Sequence, residues 1–275
     1  MLNLPKELEP YREEIEASRQ EYVQIYTTQC REDELTLTQS KFGGYPYMPE
    51  GFEYPLDGKE EMMMLLAQIN FAEVPTLKDY PTEGILQFFV ADDDLLGMDY
   101  SFWEEDIDLQ HNYRVIYHPK VDKNDSRRTF VDVPVLSQAR FGLTQNAYAL
   151  QFEEKVGYIP LIGGDCWNVF HEYTLHFAPE ITDYQERRKV REDYYDAIDE
   201  PLIWHKIGGY AHTVQEDIRI GYSPELRLGR HIQLLQITSE NGIMWGDCGV
   251  AHFFIDPIDL QQLNFSKVLY FWSCS

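Results

Sequence analysis

The segment 205–217, HKIGGYAHTVQED, holds the residues of this chain best suited to chemistry. His205 and His212 flank the pair Gly208–Gly209, and imidazoles beside a glycine turn can ligate a metal, move a proton or hold a small ligand. The spacing argues against the first. Two histidines seven apart in a loop lack the i, i+4 helical geometry of a zinc protease. No Gly-Lys-Ser/Thr follows the glycines, so the turn is not a phosphate loop either. A second candidate is WGDCG at 245–249, where Cys248 has Asp247 beside it and His252 four residues on. A nucleophilic thiolate needs an electropositive setting, and Asp247 acts in the opposite sense. No G-x-S-x-G elbow supports a serine hydrolase. The acidic run from Asp92 to Asp94 and on through Glu104, Glu105, Asp106 and Asp108 is a poor calcium loop, because Leu95 and Leu96 interrupt it. Trp103 among those acids suits a docking surface. Cys30, Cys166, Cys248 and Cys274 form no C-x-x-C pair and read as reduced, mostly buried thiols. No metal or cofactor is expected.

The glycine turn is not unique. Lys41, Gly43, Gly44 and Tyr45 match Lys206, Gly208, Gly209 and Tyr210. LAQI at 66–69 then matches LLQI at 234–237, GILQFFV at 84–90 matches GVAHFFI at 249–255, and VIY at 115–117 matches VLY at 268–270. Four matches in the same order indicate an internal duplication, about 34–120 and about 200–275, within a single domain spanning 1–275. Recurrence of the turn with different flanking side chains makes it scaffold first, since Gly-Gly opens backbone angles closed to other residues. Ser40 stands where His205 stands, and Tyr47 where His212 stands. A histidine site would therefore exist in the second half only.

Each half reads as a glycine turn followed by three strands. Phe88 and Phe89 must face opposite sides of one strand, as must Phe253 and Phe254, so both strands should be covered on both faces. Gln68 and Gln236 are the lone polar residues of their strands. Each either ties its strand to a neighbouring loop or faces a ligand pocket, because a buried amide without partners costs about 1–3 kcal/mol. Around these units, residues 8–26 carry apolar positions at near-helical spacing, giving a helix to about residue 20. ELTLTQS at 34–40 alternates like a strand. Residues 180–200 form a charged helix joining the halves, with Val190, Tyr194, Ala197 and Ile198 on one side. RTFVDVPV, YALQFE and YTLHFA read as further short strands.

The composition fits this core: 44% apolar residues, 14% aromatic and 19 tyrosines among 275 residues. The 47 acidic and 23 basic residues leave a net charge of −24, which repels nucleic acid and anionic membranes. The basic clusters Arg127–Arg128 and Arg187–Arg188–Lys189 sit among acids. The N-terminal segment lacks a signal-peptide core, and no apolar run reaches membrane-spanning length, so a cytoplasmic location is expected.

SKFGGYPYMP, LLAQINF, PTEGILQFFV, HKIGGYAHTVQED, LLQI and WGDCGVAHFFI together resemble the YwqG-like family of uncharacterised bacterial proteins, from about Ser40 to the C-terminus. The resemblance implies a cytosolic protein of mainly-β, roll-like architecture, with no established reaction or catalytic residues. It also implies a genomic setting near secreted-toxin and immunity genes in some bacteria.

The expectation is therefore a mainly-β (α+β) roll of two duplicated halves with an N-terminal and a connecting helix. Its leading function is non-enzymatic binding of a basic protein, such as a toxin, by the acidic surface. The rival is a small-ligand binder or enzyme with a cleft between the halves, lined by Gln68, Gln236, His205, Gly208, Gly209 and His212.

Overall fold

The computed structural model describes residues 2–98, 110–122, 133–170, 181–198, 204–215, 217–219 and 231–274. In chain order its elements are α1 (Arg12–Ala17), β1 (Gln20–Cys30), β2 (Lys41–Phe42), β3 (Met64–Asn70), β4 (Ile85–Val90), β5 (Tyr113–His118), β6 (Ala147–Gly157), α2 (Gly164–Phe170), α3 (Tyr184–Ile198), β7 (His205–Gly208), β8 (Ile232–Thr238), β9 (Val250–Ile255), α4 (Pro257–Gln261) and β10 (Leu269–Ser273). The strands form one antiparallel sheet in the order β10-β9-β8-β7-β1-β6-β2-β3-β4-β5. The fold is mainly β, as expected, and the sheet is a nearly closed, barrel-like one.

Its curl follows from the aromatic residues on the concave face. Phe88 of β4 and Phe253 of β9 meet at 4.6 Å although six strands separate them in the sheet. Tyr113 of β5 packs on Tyr270 of β10 at 5.3 Å, and its hydroxyl donates to Val268 O at 2.9 Å. Leu86, Phe88, Val90, Ile237, Ala251 and Phe253 fill the interior. Alternation puts Phe89 and Phe254 on the other face, and both are fully buried there beneath loops. Phe52 and Tyr54 cover Phe89; Ala211 and Ile218 cover Phe254.

The strand order places β2–β5 on one side of a central β1–β6 pair and β7–β10 on the other. Register repeats across that pair. Lys41 faces Gln68 and Gln68 faces Gln87; Lys206 faces Gln236 and Gln236 faces His252. Both inner hairpins carry a bulge at the same place, Leu66 between Leu65 and Ala67, and Leu234 between Gln233 and Leu235. One match read from the sequence is out of step. Val115 lies opposite Phe88, while the residue opposite Phe253 is Tyr270. VIY therefore corresponds to Tyr270–Trp272 rather than to VLY, because ladder pairing and not local similarity sets register.

Three local expectations are corrected. The N-terminal helix ends at Ala17, where the Ser18 hydroxyl donates to Ile15 O at 2.7 Å. Tyr22 and Ile25 belong to β1, whose eleven residues pair with β6, so tertiary pairing overrides the helical spacing. Segment 34–40 is not a strand. Its carbonyls are claimed by buried side chains: Lys41 Nζ bonds Thr36 O and Leu37 O, Gln68 Nε2 bonds Leu37 O and Gln39 O, and Asn70 Nδ2 bonds Thr38 O. Of the four thiols only Cys166 is fully buried, and Cys248 is exposed. The connecting helix is α3, which buries Val190, Tyr194 and Ile198 in a second core with Leu8 and Ile15. YALQFE lies in β6. YTLHFA, most of RTFVDVPV, the Arg127–Arg128 cluster, Trp103 and the acids at 104–108 lie outside the described residues.

Candidate functional site

The glycine turns come first, because everything near them hangs on the chain direction they set. Gly43 and Gly44 have φ of 65° and 71°; Gly208 and Gly209 have 71° and 68°. Both pairs occupy the left-handed region, which favours glycine. The second turn is also the tighter one. A Cβ on Gly208 would stand 2.7 Å from Leu77 Cδ2, and one on Gly209 would stand 2.8 Å from Tyr22 Cβ.

Each turn throws the following loop across the convex face of its half, where a strand glutamine receives it. Gln68 Oε1 accepts from the Tyr47 amide at 2.8 Å, and Gln236 Oε1 accepts from the His212 amide at 3.0 Å. On the other side of the amide group, Gln68 Nε2 donates to Gln39 O and Gln236 Nε2 to Trp204 O, both at 2.8 Å. Ser40 and His205 instead tie the start of each turn strand to the neighbouring strand. Ser40 Oγ accepts from the Asn70 amide at 2.9 Å; His205 Nδ1 accepts from the Thr238 amide at 3.0 Å. That bond fixes the His205 tautomer with the proton on Nε2, which lies 3.5 Å from Glu240 Oε2. Burial holds His205 neutral by pushing its pKa down to about 3, and its ring packs edge-on to Phe42 at 5.2 Å. His212 is pushed down to about 4, by burial first and by the Lys206 charge second.

Five of the six sequence candidates, His205, Gly208, Gly209, His212 and Gln236, come together at β7 and β8, and Gln68 stands apart in the first-half copy of the same device. Gln68 and Gln236 sit in β3 and β8 with β7, β1, β6 and β2 between them, about 24 Å along the sheet at its usual strand spacing. Both face away from the interior, as their partners Gln87 and His252 do. The cleft expected between the halves is therefore not formed by these residues. A cavity of about 770 Å³ exists elsewhere, against β5, and contains none of the six.

Some polar residues of the convex face escaped the sequence reading. In the first half, Gln87 Nε2 donates to Gln68 Oε1 and Tyr47 O, and Gln87 Oε1 meets His118 Nε2 at 2.8 Å. Lys41 Nζ is satisfied by three backbone carbonyls, at Thr36, Leu37 and Tyr45. The recurrence of Lys41 as Lys206 was the available signal. In the second half, His252 replaces Gln87. Its Nδ1 meets Gln233 Oε1 at 3.1 Å, its ring stacks on Phe254 at 5.3 Å, and burial pushes its pKa down to about 3. Beside it Arg219 is buried between two carboxylates, 2.9 Å from Asp165 Oδ1 and 2.7 Å from Asp217 Oδ2, with its guanidinium over Phe254. Burial alone would raise the Asp217 pKa, yet the Arg219 charge holds it below the usual carboxylate value. No sequence signal could pair residues 54 apart across this loop. Cys248 lies exposed in a turn at φ 66°, while His252 is wholly buried in β9.

Gln68 and Gln236 hold loops to strands and His205 ties β7 to β8, while among the described residues His252 Nε2 and Gln233 Nε2 are buried without a hydrogen-bond partner. Comparison with curated proteins finds no match. A family model described as a domain of unknown function, DUF1963, matches residues 40–274, from the residue before the first glycine-turn strand through the end of β10, and the chain belongs to that family.

Proposed function

We propose that the protein is a non-enzymatic binding protein that meets a basic protein partner through its acidic surface. The observation that carries this reading is the net charge of −24 together with the disposition of the cations. Arg12, Arg31, Arg140, Arg188 and Lys189 are paired with neighbouring acids, and Lys41 and Arg219 are buried. The surplus carboxylates therefore dominate the field outside the molecule and steer cationic partners toward it. The catalytic alternative is weakened because His205 and His252 are buried, His205 ties β7 to β8, and Gln68 and Gln236 are engaged in loop fastening. A cytoplasmic, immunity-type role in bacteria agrees with the YwqG-like motifs and with the absence, among the described residues, of any helix long and apolar enough to cross a membrane. Affinity capture from the source cells tests the proposal, run at about 0.05 M and about 0.5 M salt. A stoichiometric partner of high pI should be retained at low salt and released at high salt. Acidic partners, or recovery indifferent to salt, would count against it.

A further inference from the structure

The cavity against β5 has the shape of a slot beside a strand edge. Four successive residues of β5, Arg114, Val115, Ile116 and Tyr117, line one wall. Successive side chains point to opposite faces, so a cavity touching four in a row runs along the edge of the strand rather than over a face. Among the described residues β5 is the last strand of the sheet, and this side of it pairs with no other strand. The opposite wall is another run of four, 263–266, in the connection leading to β10. Gln110 spans the end of the slot. Its Nε2 donates to Phe265 O at 2.9 Å and its Oε1 accepts from the Val115 amide at 2.7 Å. The Val115 amide therefore points away from β4, and by the alternation of an antiparallel ladder the main-chain groups of Tyr117 point the same way, into the slot.

Charge marks the slot as well. The chain has twice as many acids as bases, yet among the described residues lining this cavity none is acidic. Arg114 is there, its Nε is buried without a hydrogen-bond partner, and among the described residues no carboxylate pairs with it. A buried guanidinium nitrogen left unsatisfied is costly, and a carboxylate is its natural complement.

We propose that this slot is a strand-addition site for an extended peptide bearing an acidic side chain. The peptide backbone pairs with the slot-facing main-chain groups of β5 that Gln110 leaves open, the Val115 carbonyl and those of Tyr117, and its carboxylate binds Arg114. This site is opposite in charge to the acidic surface and independent of the role proposed for it.

The probe is a fluorescein-labelled Val-Glu-Val-Glu-Val peptide, followed by anisotropy with the full chain. Saturable binding is expected, with about tenfold or greater weakening in Arg114→Gln, the loss appropriate to a charge-assisted hydrogen bond. Ser266→Trp, which fills the slot from its other wall, should also abolish binding and serves as the second variant if Arg114→Gln fails to fold. The Lys-for-Glu peptide and a peptide N-methylated at alternate amides should not bind. Absence of saturable binding to the folded parent protein overturns the proposal, as does binding indifferent to both substitutions. Full competition by glutarate with undiminished binding of the N-methylated peptide would make the slot a small-anion pocket and refute strand addition. Self-association that both variants abolish, with no peptide bound, would make a second copy the occupant and refute it too.

Discussion

Replacing Gln68 by leucine separates a loop fastener from a ligand group, and the size of the effect can be read from the hydrogen bonds. Leucine keeps much of the volume and removes every polar atom. Four bonds disappear: two accepted by Oε1, from Tyr47 N and Gln87 Nε2, and two donated by Nε2, to Leu37 O and Gln39 O. Gln87 keeps its bond to Tyr47 O and Lys41 Nζ keeps its bond to Leu37 O, so two backbone groups are orphaned, Tyr47 N and Gln39 O. The Tyr47 side chain is buried, whereas residue 39 is half-buried and can recruit water. Taking the middle of about 1–3 kcal/mol for the Tyr47 amide and the low end for Gln39 O gives about 3 kcal/mol. The parallel change Gln236→Leu orphans His212 N and Trp204 O, both on half-buried residues, for about 2 kcal/mol. Native-state hydrogen exchange reads these losses locally. The Tyr47 amide should exchange about a hundredfold faster in the first variant, and the His212 amide about ten- to thirtyfold faster in the second, at about 1.4 kcal/mol per factor of ten. Exchange at Tyr47 unchanged in Gln68→Leu, or a larger effect in the second half than in the first, would refute the reasoning.

Acid should unfold the protein through its buried histidines. His205 and His252 have folded-state pKa values of about 3, below the unfolded value near 6.5, so the stability they lend is intact above ~6.5 and lost as pH falls toward 3. Melting temperature followed from pH ~7 to ~4 should fall steadily, and His252→Gln, which installs the residue of the first half, should flatten that limb. Alanine at Gly208 or Gly209 adds a clash to left-handed strain and should cost about 2–4 kcal/mol in denaturant melts. Gly43→Ala, whose Cβ would be 3.4 Å from Leu136, should cost only the strain, about 1–2 kcal/mol. Arg219→Met leaves Asp165 and Asp217 facing each other without a cation and should cost about 3–5 kcal/mol, part of it recovered by adding Asp217→Asn.

The glycine pairs, the LAQI and LLQI strands and the two Phe-Phe strands were all legible as repeated units, because patterns of two and glycine punctuation are local properties of a chain. So were the double-sided burial of Phe88–Phe89 and Phe253–Phe254 and the fastening option for Gln68 and Gln236. What misled was local resemblance without a partner. Tyr22 and Ile25 lie at helical spacing from Ile15 but are held in a strand by β6, and ELTLTQS alternates like a strand yet gives its carbonyls to Lys41, Gln68 and Asn70. Likewise VIY and VLY look alike and stand two positions out of register.

The sequence by itself determined that this chain is acidic, mainly β and built on a repeated glycine-turn unit, since charge, alternation and backbone permissiveness reside in single residues and their neighbours. Only the tertiary structure decided that Gln68 and Gln236 face outward with four strands between them, that Arg219 lies between Asp165 and Asp217, and that Arg114 lines a slot at the sheet edge that is free of acids among the described residues. Those are consequences of how the sheet curls and which strand ends it. Curl and edge are set by pairing between residues far apart in the chain, which no local pattern encodes.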